Sequence, residues 1–379
     1  MEFATKAIHV GQEPDKTTGA TIVPIYETST YTQPAPGQHL GYDYSRTINP
    51  TRVALERCLA SLENAQHGLA FASGMAATAA TMNLLSAGDH VVVTDDLYGG
   101  TFRLFDKVLA RYGLTFSYVD ATDTRNVEAA MRKNTRMVWL ETPTNPLMKI
   151  IDIAAVASLS GAWEALVAVD NTFASPYLQN PLDLGADIVV HSTTKYIGGH
   201  SDAIGGFVAV NRDDLFQTIK FHQNSVGGVP GPFDCFLTLR GAKTLALRMR
   251  EHERNARAVA TFLAGRSDIE KLYYPGLPTH PGHDVAKRQM RGFGGMISFI
   301  PTGGAPRAKA IAKATKIFSL AESLGGVESL ICHPVSMTHG AIPQDVREAR
   351  GVHDALLRLS VGIEAEADII ADLELALKT

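Results

Sequence analysis

The residues best suited to chemistry lie in one stretch, His191-Ser-Thr-Thr-Lys195-Tyr-Ile-Gly-Gly-His-Ser-Asp202. It follows Ala186-Asp-Ile-Val-Val190, a short β-branched run of the kind that builds a buried parallel strand, and it leads through glycines to a second strand-like run, Gly205 to Val210. A lysine is thereby held at a strand end between hydroxyls. Burial or a neighbouring cation lowers a lysine's pKa, and the neutral amine can condense with an aldehyde such as that of pyridoxal phosphate (PLP). Ser192 and Thr194 would then supply hydroxyls to the phosphate. An isolated lysine is more often a solvated loop residue. Ser192-Thr-Thr-Lys195 also fits the Ser-x-x-Lys pattern of serine acyl-enzymes, with Ser192 as nucleophile, although their Ser-Asp-Asn and Lys-Thr-Gly companions do not occur in the chain.

Other reactive side chains stand at the ends of other strand-like runs. They are Asp95-Asp-Leu-Tyr98-Gly-Gly-Thr101, Glu141-Thr-Pro-Thr-Asn145-Pro146 and Asp170-Asn-Thr-Phe173. Each alone reads as a cap or turn. Together they offer an aromatic ring, an amide and a carboxylate beside the amine, which is the set PLP requires: a lysine for its aldehyde, an acid for its pyridine nitrogen, and phosphate donors. Gly68 to Ala77 reads as a strand, a Ser73-Gly74 turn and an alanine-rich helix running to about Leu85. Such a turn exposes N–H groups and the positive helix end to a phosphate, though it is also ordinary N-cap chemistry. Gly41-Tyr-Asp-Tyr44-Ser-Arg46 could clamp an anion. Arg358, amid apolar neighbours in Leu357 to Ile363, needs a partner, either a substrate carboxylate or a structural acid.

The elements that must position these groups follow from periodicity. Strand-like runs at 90–94, 115–119, 136–141, 166–169, 188–190 and 207–210 alternate with helical segments, which predicts an α/β fold with a mostly parallel sheet. Ligands of such sheets bind beyond the carboxyl ends of the strands. The 379 residues suit two domains. Residues 1–50, rich in proline and lacking a sustained period, read as an extended arm packed on something, another subunit among the candidates. Residues 51–242 form the α/β domain. Residues 243–379 comprise an amphipathic helix near 243–263 and a smaller α+β domain. The net charge of -4 lacks the basic excess of a nucleic-acid binder. No apolar run reaches membrane-spanning length and no signal peptide is evident, so a cytoplasmic location is expected. The three cysteines are scattered and read as core residues, and no His or Cys cluster suggests a metal. No Gly-x-Gly-x-x-Gly follows an early strand, against a nicotinamide dehydrogenase.

Taken as an ordered set, these motifs, with Phe3-Ala-Thr-Lys-Ala-Ile-His-Val-Gly11 and Ala321-Glu-Ser-Leu-Gly-Gly326, resemble the cysteine and methionine metabolism family of fold-type I PLP enzymes, over nearly the whole chain. That family includes cystathionine γ-lyases and γ-synthases, methionine γ-lyases and sulfhydrylases. The resemblance implies a seven-stranded, mostly parallel sheet with covering helices and a smaller C-terminal α+β domain. It makes Lys195 the Schiff-base lysine and general base, Asp170 the partner of the pyridine nitrogen, and Tyr98 the stacking ring and acid/base. Ser73, Gly74, Met75, Ser192 and Thr194 would bind phosphate, Tyr44 and Arg46 would reach in from a neighbouring subunit, and Asn145, Ser323 and Arg358 would hold the substrate's α-carboxylate. It further implies a sulfur-containing amino-acid substrate and a homotetramer built from dimers with shared sites. Tyr98-Gly-Gly-Thr101 departs from the Tyr-Gly-Cys-Thr of methionine γ-lyases. Pro34-Ala-Pro-Gly-Gln-His39 and Gln223-Asn-Ser-Val-Gly227 look like cystathionine γ-lyases, with γ-synthase as the alternative. A PLP carrier without turnover is a further reading.

Overall fold

The structure is a computed structural model that describes residues 1–340 and 342–379. Seven strands, His67–Phe71 (β1), His90–Thr94 (β2), Thr115–Val119 (β3), Thr135–Glu141 (β4), Leu166–Asp170 (β5), Ile188–Ser192 (β6) and Gly206–Val210 (β7), form one sheet in the order β1-β7-β6-β5-β4-β2-β3. Only β7 runs antiparallel to its neighbours. The valine-rich composition follows from burial on both faces: Val91, Val93 and Trp139 pack into one core, while Val92, Val138 and Leu140 pack into another. All the parallel strands point the same way. Ser73, Tyr98, Asn145, Asp170 and Lys195 therefore emerge at one edge of the sheet.

A second sheet contains Ile269–Tyr273 (β8), Met296–Pro301 (β9), Ser319–Leu320 (β10), Leu330–Cys332 (β11) and Leu357–Ser360 (β12), ordered β10-β11-β12-β9-β8. Its pairs are antiparallel except β10 with β11. The helix Leu245–Ala264 lies in sequence between the two sheets and buries Leu245, Met249, Ala256, Val259 and Leu263 along one stripe. On that stripe Arg248 is also buried, and it donates to the carbonyls of Tyr196 (2.6 Å), Ile197 (3.1 Å) and Gly241 (2.9 Å). The guanidinium thus braces the turn carrying Lys195. It approaches so closely that a Cβ on Gly199, whose φ is +70°, would lie 2.0 Å from Arg248 Nη1.

The amino-terminal fifty residues are not extended throughout. Phe3–His9 is a helix whose Ala7 is buried, and Ala7 O accepts from Gln12 Nε2 at 3.0 Å. Two turns of helix are too short for a 3.6-residue period to stand out in sequence. Further along, Tyr26 N donates to Thr51 Oγ1 (2.9 Å) and Asn49 Nδ2 donates to Tyr26 O (2.9 Å), tying the arm to the start of the helix Pro50–Leu62. Asn49 caps that helix by accepting from the amides of Thr51 and Arg52, and Pro50 occupies its first turn. The alanine-rich helix Gly74–Met82 ends three residues before the expected Leu85.

Candidate active site

The strand ends of the large sheet and the loops around Ser323 and Arg358 enclose a cavity of about 300 Å³. Every residue singled out in sequence lines it except Tyr44 and Arg46. The arrangement can be built from the helix end outward. Ser73 caps Gly74–Met82, its Oγ accepting from Ala76 N at 3.1 Å. The remaining amides of the first turn have no intrahelical partners, and the helix dipole makes this end positive. A Cβ on Gly74 would meet Ser192 Cβ at 2.8 Å, so glycine allows the helix end to sit against the Lys195 turn. On that turn, Ser192 N donates to Thr172 Oγ1 (2.9 Å) and Thr194 Oγ1 accepts from Gly205 N (3.1 Å). Hydroxyls and amides converge here, which fits a phosphate.

Lys195 Nζ donates to Ser323 Oγ at 2.8 Å. Burial, reinforced by the Arg358 guanidinium and opposed by Glu322, lowers its pKa to about 8. The amine is thus partly neutral near physiological pH. Its hydrogen bond goes to Ser323 and not to Ser192, so the Ser–Lys contact required of an acyl-enzyme is missing.

Asp170 and Glu141 are register partners at the ends of β5 and β4. Burial raises the carboxyl pKa of both, and Asp170's charge further raises that of Glu141, which is pushed well above the usual range. Two adjacent carboxyls here favour sharing the site with a cation or a proton. Glu141 accepts from Tyr98 N at 2.9 Å, which fixes the base of the tyrosine loop. The Tyr98 side chain itself is 40% exposed and lies over Gly100, where an added Cβ would come within 2.3 Å of Tyr98 Cε1.

Arg358 is 2% exposed. Nη1 donates to Asn145 Oδ1 (2.7 Å), Nη2 donates to Ser323 O (3.1 Å), and the buried Nε has no partner. Among the described residues, no carboxylate lies within ion-pair distance of it. The structural salt bridge allowed by sequence is therefore not made. A buried cation without a counter-ion, opening on a cavity, suits a carboxylate ligand. Asn145 is placed by its loop: buried Asp96 accepts from the Thr144 hydroxyl and from Leu147 N (3.0 Å).

Tyr44 and Arg46 line a different depression, with Glu27, Arg52 and Val229 to Pro232. Arg46 lies 5.5 Å from the centre of the Tyr44 ring, and the two do not join the cavity of their own chain. Glu141, Thr172 and Thr338, to which the sequence assigned no role, also line the cavity. The first two sit within strand-end segments already marked as polar, so position could have found them. Thr338 carries no such signal. The cysteines Cys58, Cys235 and Cys332 are free and buried.

The fit to PLP can be judged on these observations. A low-pKa amine, a glycine-gated helix end among hydroxyls, and a recessed carboxyl pair face one cavity, and the donor set matches the cofactor. The profile described as Cys/Met metabolism PLP-dependent enzyme matches residues 4–378. A cystathionine β-lyase from Coxiella burnetii is 53% identical, covering 98% of this chain and 97% of its own. A cystathionine γ-synthase from Mycobacterium tuberculosis is 54% identical, with 99% and 96% covered. The crystal structure of cystathionine γ-lyase from Lactobacillus plantarum, complexed with L-serine, superposes with a TM-score of 0.98 at 51% identity, with 100% and 99% covered. On this ground the chain belongs to the Cys/Met metabolism family of PLP-dependent enzymes.

Proposed function

We propose that the chain catalyses α,γ-elimination of L-cystathionine, with consumption of one water, to cysteine, 2-oxobutanoate and ammonia. The observation that carries this reading is the pairing, across one cavity, of the Lys195 amine with a guanidinium that has no carboxylate partner. When bound, PLP would act as the electron sink for negative charge at the substrate's α-carbon. Lys195 would hold the cofactor through its aldehyde carbon and would serve as the base for the substrate's α-proton, a role suited to an amine with a pKa of about 8. Asp170 would pair with the protonated pyridine nitrogen, beside Glu141, whose carboxyl pKa burial and the Asp170 charge push well above the usual range. Ser73, Gly74, Met75, Ser192 and Thr194 would hold the phosphate. Arg358, Asn145 and Ser323 hold the α-carboxylate.

Tyr98 gives a proton to the departing sulfur, for which its exposed, glycine-bordered ring has room. Glu322, exposed at the edge of the cavity, would meet the ammonium at the far end of cystathionine. Tyr44 and Arg46 complete the phosphate site of a second copy, so the working unit is at least a dimer.

Cystathionine γ-synthase is the second reading, supported by the relative of that name at similar identity. The two readings, and β-cleavage, separate in one experiment. The holoenzyme is given L-cystathionine alone, and 2-oxobutanoate with cysteine is the expected product. Pyruvate with homocysteine would replace the proposal with β-elimination. Turnover only when cysteine and an O-acylhomoserine are both supplied would replace it with the synthase reading.

A further inference from the structure

His339, in the loop between β11 and β12, belongs to none of the assignments above. It is 2% exposed. Its Nε2 lies 3.1 Å from Asn145 O and its Nδ1 lies 2.8 Å from Thr338 Oγ1. A carbonyl only accepts, so Nε2 carries the hydrogen and Nδ1 accepts from the Thr338 hydroxyl. Burial, aided by the Arg358 guanidinium, lowers the imidazole pKa to about 4, which keeps this tautomer neutral across the working pH range. The segment is itself held in place, since His339 N donates to Pro334 O at 2.8 Å.

The same two residues press on the tyrosine loop. The Thr338 carbonyl lies where a Cβ on Gly99 would approach to 2.5 Å. Gly99 directly follows Tyr98, and Asn145 is the residue that accepts from Arg358 Nη1. A single buried imidazole and its neighbour therefore touch both strand-end loops that face the substrate.

We infer that His339 is a positioning residue, which sets the Asn145 loop against Arg358 and the Tyr98 loop against the cavity from the second sheet's side of the cleft. The inference rests on the reading of Arg358 and Asn145 as the carboxylate site. Losing the Nε2 donor leaves the Asn145 carbonyl unpaired in a buried position and lets the loop shift. Binding of any amino-acid carboxylate should weaken, while the phosphate seat and Lys195 stay in place.

The test uses the holoenzyme and four variants: His339→Phe, His339→Gln, Gly99→Ala and Arg358→Lys. KM and kcat are measured with L-cystathionine, calorimetric Kd with L-2-aminobutyrate, which has no leaving group, and cofactor loading by visible absorption. His339→Phe should raise both KM and Kd by about tenfold with a smaller change in kcat and unaltered absorption, the size expected for one buried hydrogen bond. His339→Gln places an amide nitrogen near the position of Nε2 and should recover most of that loss. Wild-type Kd in a fully loaded His339→Phe enzyme would overturn the inference, as would a Gln variant as weak as the Phe variant. Should His339→Phe fail to fold, Gly99→Ala decides, because it wedges a methyl against the Thr338 carbonyl and must raise the same Kd. Arg358→Lys separates the two layers: unchanged Kd there removes the carboxylate-site reading, whereas weakened binding there with none in the His339 variants removes only the inference.

Discussion

At the scale of single residues, the chemistry turns on how the protein discourages charge on Lys195. Enclosure and the nearby Arg358 outweigh the opposing Glu322, leaving a pKa of about 8 against about 10.4 for a solvated lysine. The amine is protonated and inert below that value and reactive above it. In the cofactor-free protein, acylation of Lys195 followed by peptide mass spectrometry should therefore rise with a midpoint near pH 8. A midpoint shared with the surface lysines would contradict the assigned environment. Gly100 offers a second residue-scale test. A methyl there would sit 2.3 Å from the Tyr98 ring, so the ring must turn away. Gly100→Ala should lower kcat with L-cystathionine by roughly tenfold, short of the full 10²–10⁴-fold value of a general acid, with PLP absorption retained. Unchanged kcat would mean the ring's position does not matter to the leaving group.

At the scale of elements, Arg248 shows what sequence patterning conveyed and what it concealed. The apolar stripe of the helix Leu245–Ala264 was legible from its period, and the strands of the large sheet were legible from β-branched runs bounded by turns. The strand-end position of Lys195, Asp170, Tyr98 and Asn145 followed from the same alternation, because parallel strands must present their carboxyl ends together. Arg248 falls on the buried stripe, but nothing in its neighbours says that the carbonyls of Tyr196 and Ile197, from a distant segment, will meet it together with that of Gly241. Likewise β8, Ile-Glu-Lys-Leu-Tyr, is half-exposed or exposed at every position and lacks an apolar run. The pairing of Glu141 with Asp170 was not legible, because Asp170 lies on another strand and only register brings them side by side. Long-range pairing of this kind is not written in local periodicity. Arg248→Leu should lower unfolding free energy by roughly 3 kcal/mol, since the Tyr196, Ile197 and Gly241 carbonyls lose a buried donor. Denaturant unfolding of the holoenzyme measures this, and a loss under about 0.5 kcal/mol, the range of an ordinary surface change, would show the brace to be dispensable.

At the scale of the whole molecule, the cavity is closed by pieces of both sheets, yet one pair of residues proposed to bind the phosphate stands apart from it. Tyr44 and Arg46 line their own depression beside Val229 to Pro232, and Tyr44 is 44% exposed. A two-fold axis would resolve this, because an isologous interface gives each chain's loop to the other chain's cavity. In such a dimer, Arg46→Ala and Lys195→Ala damage the same site when they sit on different chains. A hybrid then has one site carrying both changes and one carrying neither. Mixing the two inactive variants in equal amounts, with free exchange of subunits, should restore about a quarter of the wild-type activity, since half the dimers are hybrids and half the sites in each are intact. Mass spectrometry of the intact assemblies verifies the exchange. If hybrids form and activity stays at the level of the parents, Arg46 serves its own chain, and the two pockets must be joined by a movement of the loop and not by a partner. The quarter-activity result requires the opposite: two chains must meet for any one lysine to work.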